Sequence, residues 1–369
     1  MQLTVNRQDL LEAINRVIGG VEKRQTMPIL GNLLLETSND DLRITATDLE
    51  IQLESGTPVQ TGQPGRTTVN ARKLHDIVRA ITPDAPIDLQ LEDGFVILRA
   101  GQSVFRLGCL PAEEFPRMDS TAEEHRIRLP QNRLRLLLER TQFSMAQQDV
   151  RYFLNGLLFE VAPDHFRCVA TDGHRLALAE TDTEQTVADE LRIIVPRKMV
   201  MELMRALDRD EETPVELRVN NQQIELELDR QRMVSKLIDG RFPDYDRVIP
   251  KNNSKTVIAD RDSLKQVLQR AAVLNTDRFA GAHYLLETDQ LSIEAINSDQ
   301  ESSREEIPVD YQGDSLKIAF NIGYMLAILS HLDDTQVRMD FETPESSALI
   351  QPMNAESVRT RYVLMPMKI

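Results

Sequence analysis

An acid, a base and a cation crowd together at Asp172-Gly173-His174-Arg175. Hydrolytic chemistry would require a nucleophile activated by such a base. No Ser or Cys nearby stands in a nucleophile motif, and the similar run Asp48-Leu49-Glu50 has no histidine. The chain also lacks a GxxxxGK[ST] phosphate loop, an HExxH helix and a GxGxxG turn. Cys109 and Cys168 show neither CxxC nor Cys/His spacing, so they read as small buried residues rather than as a disulfide or zinc framework. The expectation is a protein that is not an enzyme and needs no metal or other cofactor.

A second pattern suggests a different chemistry. Arg72 and Arg79 lie seven residues apart, as do Lys198 and Arg205. The intervening apolar residues, Leu74, Ile77, Val78, Ile81 and then Val200, Leu203, Met204, Leu207, follow the i, i+3, i+4, i+7 spacing of one buried helical face. At 100° per residue the cations face the opposite way, where they could touch phosphate without reading bases. A third stripe, Met325, Ile328, Leu329, Leu332, carries Gly323 and Ser330 at those positions, so the pattern holds twice and fails once. Arg16, Arg140 and Arg270 fall opposite the stripes of three further helices. The alternative is a solvated face with intrahelical pairs such as Arg72 with Asp76. A formal charge of −16 and a pI near 4.9 count against nucleic acid in bulk, but net charge does not say where cations sit.

The elements that carry these residues repeat. A strand-like NLLLETSNDDLRITATD returns as GLLFEVAPDHFRCVATD and, more loosely, as HYLLETDQLSIEAIN. Glu36, Glu160 and Glu287 align at spacings of 124 and 127, and Asp48, Asp172 and Asn297 at 124 and 125. A period of this length signals whole domains, since solenoid repeats run to only about 20 to 50 residues. Each copy has two amphipathic helices, with N-caps offered by Asn6 and Asp260, and short alternating strands such as VELRVNNQQIELELD. Proline-bearing polar joins, FPRMDSTAEEH and FPDYDRVIPKNNSK, end copies one and two. The 369 residues therefore divide as 1–125, 126–253 and 254–369, each an α+β domain with helices on one face of a β-sheet. The N-terminus has no signal-peptide pattern and no apolar run reaches membrane-spanning length, so a soluble, cytoplasmic protein is expected.

On this threefold repeat, the motifs VRYFLNG, ATDGHRLAL, GRFPDYDRVIP and the terminal VLMPMKI resemble those of the bacterial DNA polymerase III beta subunits, the sliding clamps, in the family's order and over the whole chain. The resemblance implies a head-to-tail homodimer forming a closed ring of six domains, sheets outside and helices lining the hole. It implies a processivity factor that encircles double-stranded DNA without sequence preference and tethers the replicative polymerase, the clamp loader and other clamp-binding proteins, with no membrane partner. Arg24, Arg72, Arg79, Gln148, Tyr152, Phe153, Lys198 and Arg205 would face DNA. For Tyr152 and Phe153, core packing is the rival reading.

The resemblance further places a ring contact between Phe105 and Leu107 of one chain and Val273 and Leu274 of the other. Alternation puts Phe105 and Leu107 on one strand face, which suits an interface and an ordinary core equally. Gln102 and Val104 stand where some relatives carry basic residues, so the resemblance does not carry over ion pairs flanking that contact. A partner-peptide groove maps onto Leu154, Thr171, Gly173, His174, Arg175, Leu176, Pro243, Arg247, Val248, Val363, Leu364, Met365, Pro366 and Met367. Methionines can repack around several peptides, although such a tail also reads as a frayed end or a final strand. The chain ends Lys368-Ile369 where many relatives end with Arg and Leu. Without the resemblance, a DNA-independent three-domain scaffold for binding proteins fits the same residues.

Overall fold

A computed structural model of the chain describes residues 1–22, 27–119, 125–184, 190–274, 281–354 and 357–368. Among the described residues, six α-helices span Arg7–Val17 (α1), Ala71–Ala80 (α2), Gln131–Thr141 (α3), Arg197–Ala206 (α4), Arg261–Leu274 (α5) and Ile322–Leu329 (α6). They are set among antiparallel strands, the α+β architecture expected from the sequence.

Side-chain chemistry fixes several helix ends. Asn6 accepts the Gln8 N–H at 2.7 Å and Asp260 that of Ser263 at 2.7 Å. Asn70 and Asn321 do the same for α2 and α6, accepting from Lys73 at 3.1 Å and Tyr324 at 3.0 Å. Arginines bind backbone carbonyls at or just beyond the other ends: Arg7 donates to Val78 and Arg79, which α2 leaves unpaired, Arg135 to Leu207 just after α4, and Arg261 to Leu332 beyond α6.

By backbone proximity the chain forms two compact units. One comprises Met1–Leu129, Met201–Ala206 and Thr213–Leu237; the other comprises Pro130–Val200, Leu207–Glu212 and Ile238–Ile369. The first holds a thirteen-stranded sheet, the second an eight-stranded and a four-stranded sheet. These units cut across the sequence repeat because strands of different copies pair. In the first unit Ile51–Pro58 pairs with Gln231–Lys236, bringing Gln52 opposite Val234. In the second Arg175–Asp182 pairs with Arg359–Leu364, bringing Leu176 opposite Val363. Gln52 and Leu176 are 124 residues apart, so the same strand of two copies finds the same kind of partner and neither edge is left open.

The aligned Asp48, Asp172 and Asn297 perform one job. Each accepts two backbone N–H groups of the turn that follows: Glu50 and Ile51, His174 and Arg175, Asp299 and Glu301. These Asx-type turns end the repeated strands, which explains why an acid or amide recurs there.

One reading is corrected. Arg140 does not lie on a solvent face: its side chain is only 4% exposed and donates to Asp333 at 2.7 Å and to the His331 carbonyl. Arg270 is exposed and paired with Glu305, so the aligned arginines of α1, α3 and α5 form no common basic row. A 100° projection orders residues around one helix but says nothing about what packs over its outer face.

Candidate functional site

In the second unit, the turn at Asp172 to Arg175 organises an apolar surface. Thr171 Oγ1 donates to the Arg175 carbonyl at 2.6 Å and accepts from the Gly173 N–H at 3.1 Å. Gly173 has φ +90°, a left-handed conformation that favours glycine. Arg175 Nε donates to Asp172 at 3.0 Å and its Nη2 to the Phe143 carbonyl at 2.6 Å. Its guanidinium lies 4.4 Å from the Tyr324 ring centroid and 5.4 Å from that of Phe143. Both members of the suspected acid and cation pair are thus occupied in holding the turn. Among the described residues no group of three or more His, Cys, Asp or Glu could hold a metal ion.

Three separated stretches meet beside this turn. Leu154, Leu176 and Val363 pack in one cluster with Phe242, Tyr245 and Ile249, and Phe153 and Ile238 lean on it. Pro243, Arg247 and Val248 are exposed at its margin. The tail is held at two points: the Met365 N–H donates to the His174 carbonyl at 3.0 Å and the Met367 N–H to that of Ala319 at 2.7 Å. Met365 is exposed, and Pro366 and Met367 are half-buried. Leu364 points the other way. Strand alternation buries it with Tyr362 in the adjoining core, so it lines no part of this surface. The sequence reading missed Phe242, Tyr245, Phe143 and Tyr324. Only the quoted GRFPDYDRVIP stretch pointed to the first two, and nothing local pointed to the others.

The basic positions are accessible to differing degrees. Arg72 and Arg79 are exposed on α2, but Asp76 pairs with Arg79 at 3.7 Å rather than with Arg72. Arg205 is exposed and bridges to Glu202 at 2.5 Å, whereas Lys198 is half-buried. Gln148 is exposed with φ +56°, in a turn that Arg151 ties to Asp149 by two side-chain bonds of 3.0 and 2.8 Å. Those bonds and the Arg151 N–H pull the Asp149 carboxyl down to about 2. Tyr152 is 58% exposed, which excludes core packing for that ring, while Phe153 joins the apolar cluster. Arg24 lies outside the described residues.

Phe105 and Leu107 sit on Ser103–Leu110, whose residues 103–108 pair with Phe95–Ala100 along one edge. On the other edge, among the described residues, only Cys109 and Leu110 pair, with Val69 and Thr68. Phe105 is half-buried and Leu107 buried; Val104, just before them, is 62% exposed. At the end of α5, Val273 is 73% exposed and Leu274 half-buried. Cys168 is buried, and burial holds its thiol well up, whereas Cys109 is only partly buried, contrary to the sequence expectation.

Consecutive family models match almost the whole chain: the DNA polymerase III beta subunit N-terminal domain over residues 1–119, its central domain over 128–244 and its C-terminal domain over 246–368. The chain belongs to the DNA polymerase III beta subunit family. The beta sliding clamps of Proteus mirabilis and Pseudomonas putida are 43% and 41% identical to it over 370 residues, covering all of each chain. The crystal structure of the DNA polymerase III subunit beta from Pseudomonas aeruginosa superposes with a TM-score of 0.95 at 38% identity, again over the full length of both. Members of this family are non-catalytic accessory subunits of the DNA polymerase III holoenzyme, which accords with the structural use of Asp172 and Arg175.

Proposed function

We propose that this chain is a DNA sliding clamp: two copies close head to tail into a ring around duplex DNA, and the ring tethers the replicative polymerase and other partners through a peptide groove. The observation that carries this reading is the tandem match of three beta-subunit domains along the chain, joined to an apolar cluster assembled from the stretches that the resemblance names. The domains are taken as 1–125, 126–253 and 254–369.

In this reading Arg72, Arg79, Lys198 and Arg205, with Gln148 and Tyr152, approach phosphate. The groove is walled by Leu154, Leu176, Val363, Pro243, Val248 and Met365, with His174, Arg175 and Arg247 at its rim. The open edge at residues 103–108 and the exposed apolar end of α5 supply the two halves of the ring contact. An unpaired strand edge beside half-buried apolar side chains is a ready template for another chain. No described helix is long and apolar enough to cross a membrane, and a cytoplasmic location suits a replication subunit. Sedimentation of the wild type should show two chains per particle, and Phe105→Ala with Leu107→Ala should shift it to one. A monomeric wild type at micromolar concentration would contradict the ring.

A further inference from the structure

Tyr245 joins two layers of the second unit. Its ring belongs to the apolar cluster with Leu154, Leu176 and Val363, while its hydroxyl reaches a buried ionic network. The hydroxyl lies 2.8 Å from both carboxylate oxygens of Glu160, to which it donates, and accepts from Arg167 Nη1 at 2.7 Å. Arg167 also binds Glu160 at 2.6 Å and Glu180 at 2.7 Å, and Arg192 binds Glu160 at 2.9 Å. The Glu160 side chain is 2% exposed, so each of these partners matters to its burial. Burial pushes the Tyr245 phenol well up, keeping it a neutral donor.

The first unit shows what this link replaces. Glu36 occupies the position of Glu160, 124 residues earlier, and Phe115-Pro116 matches Phe242-Pro243. There the segment after the proline is tied down by Arg117, which binds Glu36 at 2.5 Å. Its backbone is held as well: the Met118 N–H donates to Gln52 Oε1 at 2.7 Å, and Gln52 Nε2 donates back to the Met118 carbonyl at 3.4 Å. The residue matching Gln52 is Leu176, which has no polar group for such bonds. The ion pair between Arg247 and Asp244, at 2.7 Å, is internal to the second segment and ties it to nothing else. In the third copy Glu287 is exposed, and no Phe-Pro segment follows it.

We propose that Tyr245 is a positioning residue for the partner groove: by anchoring its hydroxyl on Glu160 and Arg167 it fixes the wall that presents Pro243 and Val248. The proposal rests on the groove reading above. Because the anchor lies behind the wall, it acts on a bound peptide only through that wall.

A double-mutant cycle on the full-length dimer tests this, with a fluorescently labelled synthetic peptide from the replicative polymerase as probe and thermal unfolding recorded for every variant. Tyr245→Phe removes only the hydroxyl and should weaken peptide binding roughly three- to tenfold, the order of one lost buried hydrogen bond. In a Val248→Ala background the same change should cost less than about twofold, since coupled sites are not additive. A general loosening of the fold would act equally in both backgrounds. Undiminished weakening in the Val248→Ala background, or no weakening at all, would overturn the positioning role and leave the groove standing. If Val248→Ala alone has no effect on affinity, the groove reading fails and the proposal with it.

Discussion

The Met365 N–H donates to the His174 carbonyl at 3.0 Å, stitching the end of the chain to a turn nearly two hundred residues earlier. The first unit repeats the stitch, with Lys236 donating to Glu50 at 2.9 Å. In one copy the junction carries Lys and Glu, in the other Met and His beside Leu176 and Val363. One backbone framework thus supports a polar joint and an apolar one.

Deleting Met365 to Ile369 should therefore remove part of the apolar wall while leaving the strand that ends at Leu364 paired. At about 25 cal/mol per Å² of lost contact, peptide binding should weaken by about 1 kcal/mol or more. Dimerisation should persist, because an end of the chain seldom carries the core. Fluorescence titration alongside sedimentation checks both statements, and equal affinity of truncated and intact protein would refute the groove.

Replacing Arg72, Arg79, Lys198 and Arg205 together by Glu should impair loading onto DNA and retention there. Binding of wild type to short linear duplex should be weak and fall steeply with salt, as counterion release requires. Unchanged behaviour of the fourfold variant would remove these residues from the DNA-facing surface.

The turn carrying Gln148 should open in acid. Arg151 depresses the Asp149 carboxyl from its ordinary 3.8 to about 2, so the charged form is favoured in the fold. The sign follows: the link is complete above the ordinary value and is lost as pH falls toward about 2. A carbon-detected NMR titration should place the Asp149 midpoint near 2 and return it toward 3.8 in Arg151→Ala. An unmoved midpoint would show that Arg151 is not the cause.

Much of this was legible in the residues. The 124-residue offset located the recurring strands and turns because Asp48, Asp172 and Asn297 answer a local need, the N–H groups of the next few residues. Helical stripes located α2 and α4, and the caps at Asn6 and Asp260 behaved as their types demand. What failed was long-range. Arg140 looked solvent-facing because nothing in its own helix reveals that Asp333 and His331 lie against it. Leu364 was grouped with Val363, although alternation on one strand sends neighbours to opposite faces. The pairings of Gln52 with Val234 and Leu176 with Val363 join residues nearly two hundred apart, and no local pattern specifies such a match.

The central claim is topological, and retention on DNA tests it most directly. The protein is loaded onto nicked circular duplex by its clamp loader, freed of unbound protein by gel filtration, and assayed before and after a single restriction cut. The account predicts that the protein co-elutes with the circle at moderate salt and leaves within minutes once the DNA is linear. Equal retention on circular and linear DNA, or no retention on either, would contradict a ring that encircles the duplex.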